Sequence, residues 1–220
     1  MKKHFICLAN SFKYQGRCLA GIEITLNESG YSVVAKEDGT PKWIRPVSRA
    51  GYGELSVSET QNMNMLDIIE IEGVEECPNN AHNENVFYSS LKRSGKKIGQ
   101  NTNNLNGLCD NIHSKIFFNR GKAVPADIFQ QSNHSLMFVK ALNSIFYNDE
   151  RNKLRVKFSF SGAEYDLPVT DPIFINYMQV KGLDSVNAVD KYYFAISLGE
   201  EFDGWHYKLI AGIITIPNEI

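Results

Sequence analysis

Two clusters near the amino terminus carry the side chains that bind anions and flat rings. The first is Asn10-Ser11-Phe12-Lys13, followed by Gly16-Arg17. An apolar run over 5–9 breaks into a polar turn, and a second run begins at 17. Asn10, Ser11, Lys13 and Arg17 therefore converge on one mouth between two strands. Two cations beside turn amides suit a phosphate or carboxylate. The competing reading is that Asn10 and Ser11 satisfy the turn backbone and the cations are solvated. The second cluster is Lys42-Trp43-Ile44-Arg45-Pro46. Residues two apart on a strand share a face, so Trp43 and Arg45 can act together. A ring that stacks on a base beside a guanidinium on its phosphate or edge is the chemistry of single-strand binders. A core tryptophan with a cation resting against it fits the same spacing.

In the second half, Thr170 and Asp171 stand at a helix start, and Glu200 and Lys208 flank the last two strands. Asp171, Glu200 and Lys208 meeting in a groove would offer a carboxylate pair for metal or acid–base work. Against that, Asp171 serves as a helix cap and Glu200 as a turn residue. The densest basic run is Lys92-Arg93-Ser94-Gly95-Lys96-Lys97. On a mobile loop it would close over a phosphate backbone with salt-dependent affinity. It also reads as a solvated loop, and the acids Asp67, Glu70, Glu72, Glu75 and Glu76 lie upstream to neutralise it. The five histidines have neither H-x-x-x-H spacing nor a cysteine at zinc-ligand distance. There is no G-x-x-x-x-G-K-[ST] loop, G-x-S-x-G elbow or G-x-G-x-x-G turn. We therefore expect no catalytic residue, metal or cofactor, and read the candidates as ligand-binding positions.

The elements that must position these residues are mostly strands. Short runs rich in Val, Ile, Phe and Tyr recur between Gly, Asn and Asp clusters. They cover 5–9, 17–26, 31–35, 66–71, 136–142, 154–160, 192–198 and 207–216. Leu154-Arg155-Val156-Lys157-Phe158-Ser159-Phe160 alternates, which predicts one buried and one wet face, and a hairpin with 163–169 through Ser161-Gly162. The best helix is 172–180, capped by Asp171 with Pro172 in its first turn. Ile173, Phe174, Tyr177 and Met178 form its expected core stripe. A weaker helix is predicted over 104–112. The expected organisation is a module over 1–88, a connector over 89–134 with a short helix, and a second module over 135–220.

Twenty-three Lys and Arg stand against 25 Asp and Glu, for a net charge of −2. That balance excludes a protein that coats duplex DNA through bulk charge, so any nucleic-acid contact uses a local patch. Cys7, Cys18, Cys77 and Cys109 lack C-x-x-C pairing, which predicts thiols rather than a zinc site or a disulfide framework. Residues 1–8 lack the apolar core of a secretory leader, and no run approaches a membrane span. The expected compartment is the cytoplasm.

Several of these segments together resemble the prokaryotic dual OB-containing domain family. They are Cys7-Leu8-Ala9-Asn10-Ser11 with Lys13, Gly16-Arg17-Cys18-Leu19-Ala20-Gly21, and Trp43-Ile44-Arg45-Pro46-Val47-Ser48. They continue with Asn83-Glu84-Asn85-Val86, Val169-Thr170-Asp171-Pro172, Ser197-Leu198-Gly199-Glu200 and Tyr207-Lys208-Leu209-Ile210-Ala211. The resemblance implies a mainly β chain of two OB-like small barrels with a few short helices. It also implies a nucleic-acid-binding module of a prokaryotic antiviral defence system, and the near-neutral charge points to a small footprint on single-stranded or modified nucleic acid or on a nucleotide. The alternatives are a subunit that recruits an ATPase, helicase or nuclease, or a metal-assisted hydrolase.

Overall fold

The structure is a computed structural model that describes residues 2–28, 30–77, 82–131, 134–189 and 191–216. The chain forms two compact units, which meet in sequence between Leu108 and Cys109.

The first unit contains β1 (Lys2–Lys13), β2 (Gly16–Asn27), β3 (Gly30–Val33) and β4 (Trp43–Pro46). After α1 (Val57–Thr60) come β5 (Asp67–Glu72), β6 (Glu75–Glu76), β7 (Asn85–Phe87), β8 (Ser90–Lys97) and α2 (Thr102–Asn106). The sheet order is β6-β7-β4-β2-β1-β5-β8, with β3 paired to β2. Phe5, Cys7, Leu19, Ile44, Leu55, Ile69 and Ile71 fill the core. At Gly21, opposite Cys7, a Cβ would lie 1.9 Å from the Ile6 carbonyl oxygen, so only glycine lets β1 and β2 close here. β1 bulges between Cys7 and Ala9, at the same place, and the sheet curls.

The second unit contains β9 (Ala123–Pro125), α3 (Ala126–Phe129), β10 (Leu136–Asn148), β11 (Leu154–Phe160) and β12 (Ala163–Pro168). It continues with α4 (Pro172–Lys181), α5 (Leu183–Asn187), β13 (Tyr192–Phe202) and β14 (Trp205–Thr215). The order is β12-β11-β10-β13-β14-β9. A parallel bridge between Val169 and Ile210 joins the end of β12 to β14, with Thr170 N–H donating to the Ile210 carbonyl at 2.9 Å. Five strands paired 3-2-1-4-5, with a parallel contact between the third and fifth, are the OB arrangement. Phe146 joins the aromatic core of Phe158, Phe174, Tyr192 and Phe194. β10 can run from this core to the surface because it bulges at Leu142–Ile145, with Asn143 in the left-handed region.

The expected strands all form, and the hairpin turns through Ser161-Gly162, both at positive φ. α4 starts as expected: Asp171 Oδ1 accepts from Ile173 and Phe174 N–H at 2.9 and 3.1 Å. Its core stripe is narrower than expected, because Phe174 and Met178 are buried while Ile173 and Tyr177 are exposed. The weaker helix is α2, which starts earlier, at the Asn101 cap, and is shorter. Residues 89–134 supply β8 to the first sheet and β9 to the second. No disulfide joins the four cysteines, and among the described residues no helix is long and apolar enough to cross a membrane.

Candidate nucleic-acid interface

Most positions singled out in the sequence are structural. Trp43 is only 6% exposed, so its ring is sealed away from any base. It lies on β4, whose neighbours β2 and β7 cover both edges. Arg45 is buried beside it, with Nη1 3.0 Å from His82 Nδ1 and donating to Asn85 Oδ1 at 3.5 Å. Trp43 and Arg45 thus form no surface reader; the indole packs and the guanidinium ties β4 to β7. Asn10 and Ser11 are buried too, and Asn10 Nδ2 donates to the carbonyls of Thr60 and Met63 at 3.2 and 2.9 Å. Thr170 Oγ1 donates to the Ile210 carbonyl, and buried Asp171 spends its second oxygen on Ile213 N–H at 3.0 Å. With both oxygens engaged by backbone amides and Glu200 exposed on β13, the carboxylate-pair chemistry has no geometry to support it.

The basic run is a strand, not a mobile loop. β8 pairs antiparallel with β5, which sets its cations against the upstream acids. Lys92 meets Glu70 at 2.8 Å and Arg93 meets Asp67 at 2.8 Å. Hydrogen bonds from Lys2, then from Lys92, hold the Glu70 carboxyl down at about 2. Lys96 and Lys97 remain exposed at the strand end.

The candidate surface lies in the second unit. β13 and β14 turn through Asp203-Gly204, both at positive φ, in a tight hairpin. Along β14, His206, Lys208 and Ile210 point inward, so Trp205 and Tyr207 point out. Phe202 is the cross-strand partner of Trp205 and shares its face. Three exposed rings thus stand on one hairpin face, with Trp205 44% exposed. β9 pairs along this hairpin, Pro125 opposite Trp205 and Ala123 opposite Tyr207. Arg120 and Lys122, just before β9, line an open cavity of about 1100 Å³ over β10, β11 and β12. Arg151, from the turn between β10 and β11, and Arg155 and Lys157, from the wet face of β11, line it as well, interspersed with the carboxylates of Asp149, Glu150, Glu164 and Asp166. Lys157 Nζ sits 5.3 Å from the Tyr147 ring centre, and Arg155 is committed to Asp166 at 3.0 Å. The second and third strands with the loops that follow the first and fourth are where OB barrels hold oligonucleotides and oligosaccharides.

Lys208 holds the wall of this cavity in place. It is fully buried, and its Nζ donates to the Asn119 carbonyl at 2.8 Å and to Asn119 Oδ1 at 2.9 Å. Asn119 in turn accepts from Gly121 N–H and donates to the Ala123 carbonyl, both at 2.9 Å. The backbone N–H of Lys208 donates to the Lys122 carbonyl at 2.9 Å. Burial pushes the Lys208 ammonium down to about 7. Lys208 is therefore not a phosphate contact; it fixes the turn that presents Arg120 and Lys122.

The sequence reading missed Phe202, Trp205 and Tyr207. Asp203-Gly204 between alternating aromatics was the available signal.

Solved structures with a similar backbone path include the crystal structure of the p204 HINb domain, at 8% identity over 96% of each chain and a TM-score of 0.34. A replication protein A heterotrimer bound to ssDNA matches at 8% identity and a TM-score of 0.35, over 99% of this chain and 49% of that one. A murine DNA binding protein bound with ds DNA matches at 6% identity over 98% of each chain, with a TM-score of 0.33. No curated protein matches the sequence. The pattern of the dual OB-containing domain matches residues 3–213, nearly the whole described chain, and the protein belongs to the dual OB-containing domain family.

Proposed function

We propose that the protein is a non-catalytic binding module for single-stranded nucleic acid. Bases stack on Phe202, Trp205 and Tyr207, and phosphates run past Arg120, Lys122, Arg151 and Lys157. The observation that carries this reading is the row of three exposed rings on the β13–β14 hairpin, next to the turn that bears Arg120 and Lys122. Exposed rings accept any base, and each stacked base contributes about 1–3 kcal/mol. Cations beside them supply the salt-dependent share. The setting we propose is a prokaryotic antiviral defence system in the cytoplasm, which the family resemblance supports. The test is anisotropy of a labelled oligothymidylate against salt concentration. Four phosphate contacts predict a log–log slope of about −3, roughly halved in Arg120→Ala/Lys122→Ala. Salt-independent binding, or a slope unchanged in that variant, removes the proposed path.

A second reading, recruitment of a protein partner, is favoured by α4. Ile173, Tyr177 and Val180 are exposed on it at i, i+4 and i+7. A partner subunit that binds the wild-type chain should lose that binding in Tyr177→Lys, and binding that survives would show that α4 is not the docking face.

A further inference from the structure

The first unit carries an aromatic surface of its own. At the tip of β1 and β2, Phe12 is exposed, and the guanidinium of Arg17, its cross-strand partner, lies 4.5 Å from its ring centre. Tyr14, in the turn at φ 47°, puts its ring 4.7 Å from that of Tyr52, with the planes 34° apart. The two tyrosines are 61% and 69% exposed. A non-glycine residue at positive φ is sterically costly, and here the backbone keeps that geometry while holding a ring in water. The Lys13 ammonium reaches the same loop, 3.8 Å from where a Cβ on Gly53 would sit. Glu54, the nearby acid, accepts from Tyr52 N–H at 2.8 Å. The Arg17 guanidinium brings a second cation to the tip, resting on the Phe12 ring.

We propose that this tip is a second site for single-stranded nucleic acid, distinct from the β13–β14 hairpin. Tyr14 and Tyr52 stack on bases, and Lys13 and Arg17 take the flanking phosphate. Rings beside two cations match a polyanion with flat faces better than a neutral sugar or an apolar peptide. The inference rests on the proposed ligand class but not on the proposed hairpin, so the two can fail separately.

The experiment is a calorimetric titration of the intact chain with an oligothymidylate of about five nucleotides, near the lower end of the site size of one OB barrel. Two equivalents are expected to bind. Tyr14→Ala/Tyr52→Ala should weaken one of them about tenfold or more and leave the other unchanged. Phe202→Ala/Trp205→Ala should do the converse. One equivalent, lost with the hairpin variant and untouched by the tip variant, overturns this proposal and leaves the hairpin reading standing. One equivalent lost only with the tip variant supports the proposal and overturns the hairpin reading. Photocrosslinking of 5-bromouracil-substituted oligonucleotide to the wild-type chain needs no variant. Adducts on Tyr14 or Tyr52 support the site, and adducts confined to the second unit overturn it.

Discussion

Replacing Lys208 by Met tests how a buried ammonium shapes the second unit. The wild-type side chain is fully buried, donates twice to Asn119, and has its ammonium pushed down to about 7 from an ordinary 10.5. Above pH 10.5 both folded and unfolded chains hold this amine neutral. Below 10.5 the unfolded chain takes up a proton that the folded chain accepts only near 7. The unfolded state therefore binds more protons between those limits, and stability rises with pH across that window. At about 1.4 kcal/mol per pH unit, the whole interval bounds the rise at about 5 kcal/mol. Met keeps the volume and removes the titration, while the Asn119 carbonyl loses its donor at about 1–3 kcal/mol. The variant is thus close to wild type or more stable near pH 6, where the wild type holds a buried charge. It is less stable near pH 10. Urea unfolding of both proteins from pH 6 to 10 reads this directly, because every other titrating group is shared and cancels in the difference. Parallel stability curves for the two proteins would refute the reasoning.

Other outcomes follow from the same geometry. Arg45→Ala leaves salt-dependent oligonucleotide binding intact but lowers stability by about 2–4 kcal/mol in urea, because its packing and its bond to His82 are lost from a buried site. Weakened binding with unchanged stability would restore it as a ligand contact. Glu70 is held at about 2 by Lys2 and Lys92, below the usual 4.5, so its contribution is fully present above pH 4.5 and lost as pH falls toward 2. Lys2→Met/Lys92→Met should flatten the acid limb of the stability curve, and an unchanged limb would contradict the pairing. Burial pushes the Cys109 thiol up to about 12, so it should resist iodoacetamide in the native state at pH 8 and react after unfolding.

The sequence made the strands readable wherever one face is wet. β11 alternates cleanly from Leu154 to Phe160, and Asp171-Pro172 marks the start of α4 without ambiguity. The site was less readable, because exposure is decided by pairing that local spacing does not reveal. Trp43 and Trp205 each stand on a strand two residues before another large side chain, Arg45 and Tyr207. β4 is buried at all four of its residues, while β14 alternates from its first residue and leaves Trp205 and Tyr207 on its exposed face. Likewise Lys92 and Arg93 look like a phosphate loop until the register of β8 sets them against Glu70 and Asp67. Lys208 gave a hint: it stands amid apolar residues on an alternating strand, on the same side as Ile210. A lysine there must find buried acceptors, and Asn119 supplies them.

Tryptophan fluorescence during oligothymidylate titration bears most directly on the central claim, since the only two indoles are the sealed Trp43 and the exposed Trp205. The prediction is saturable quenching of one emitter, abolished in Trp205→Phe and retained in Trp43→Phe. Binding without quenching, or quenching that persists in Trp205→Phe, would show that bases do not stack on the β13–β14 hairpin.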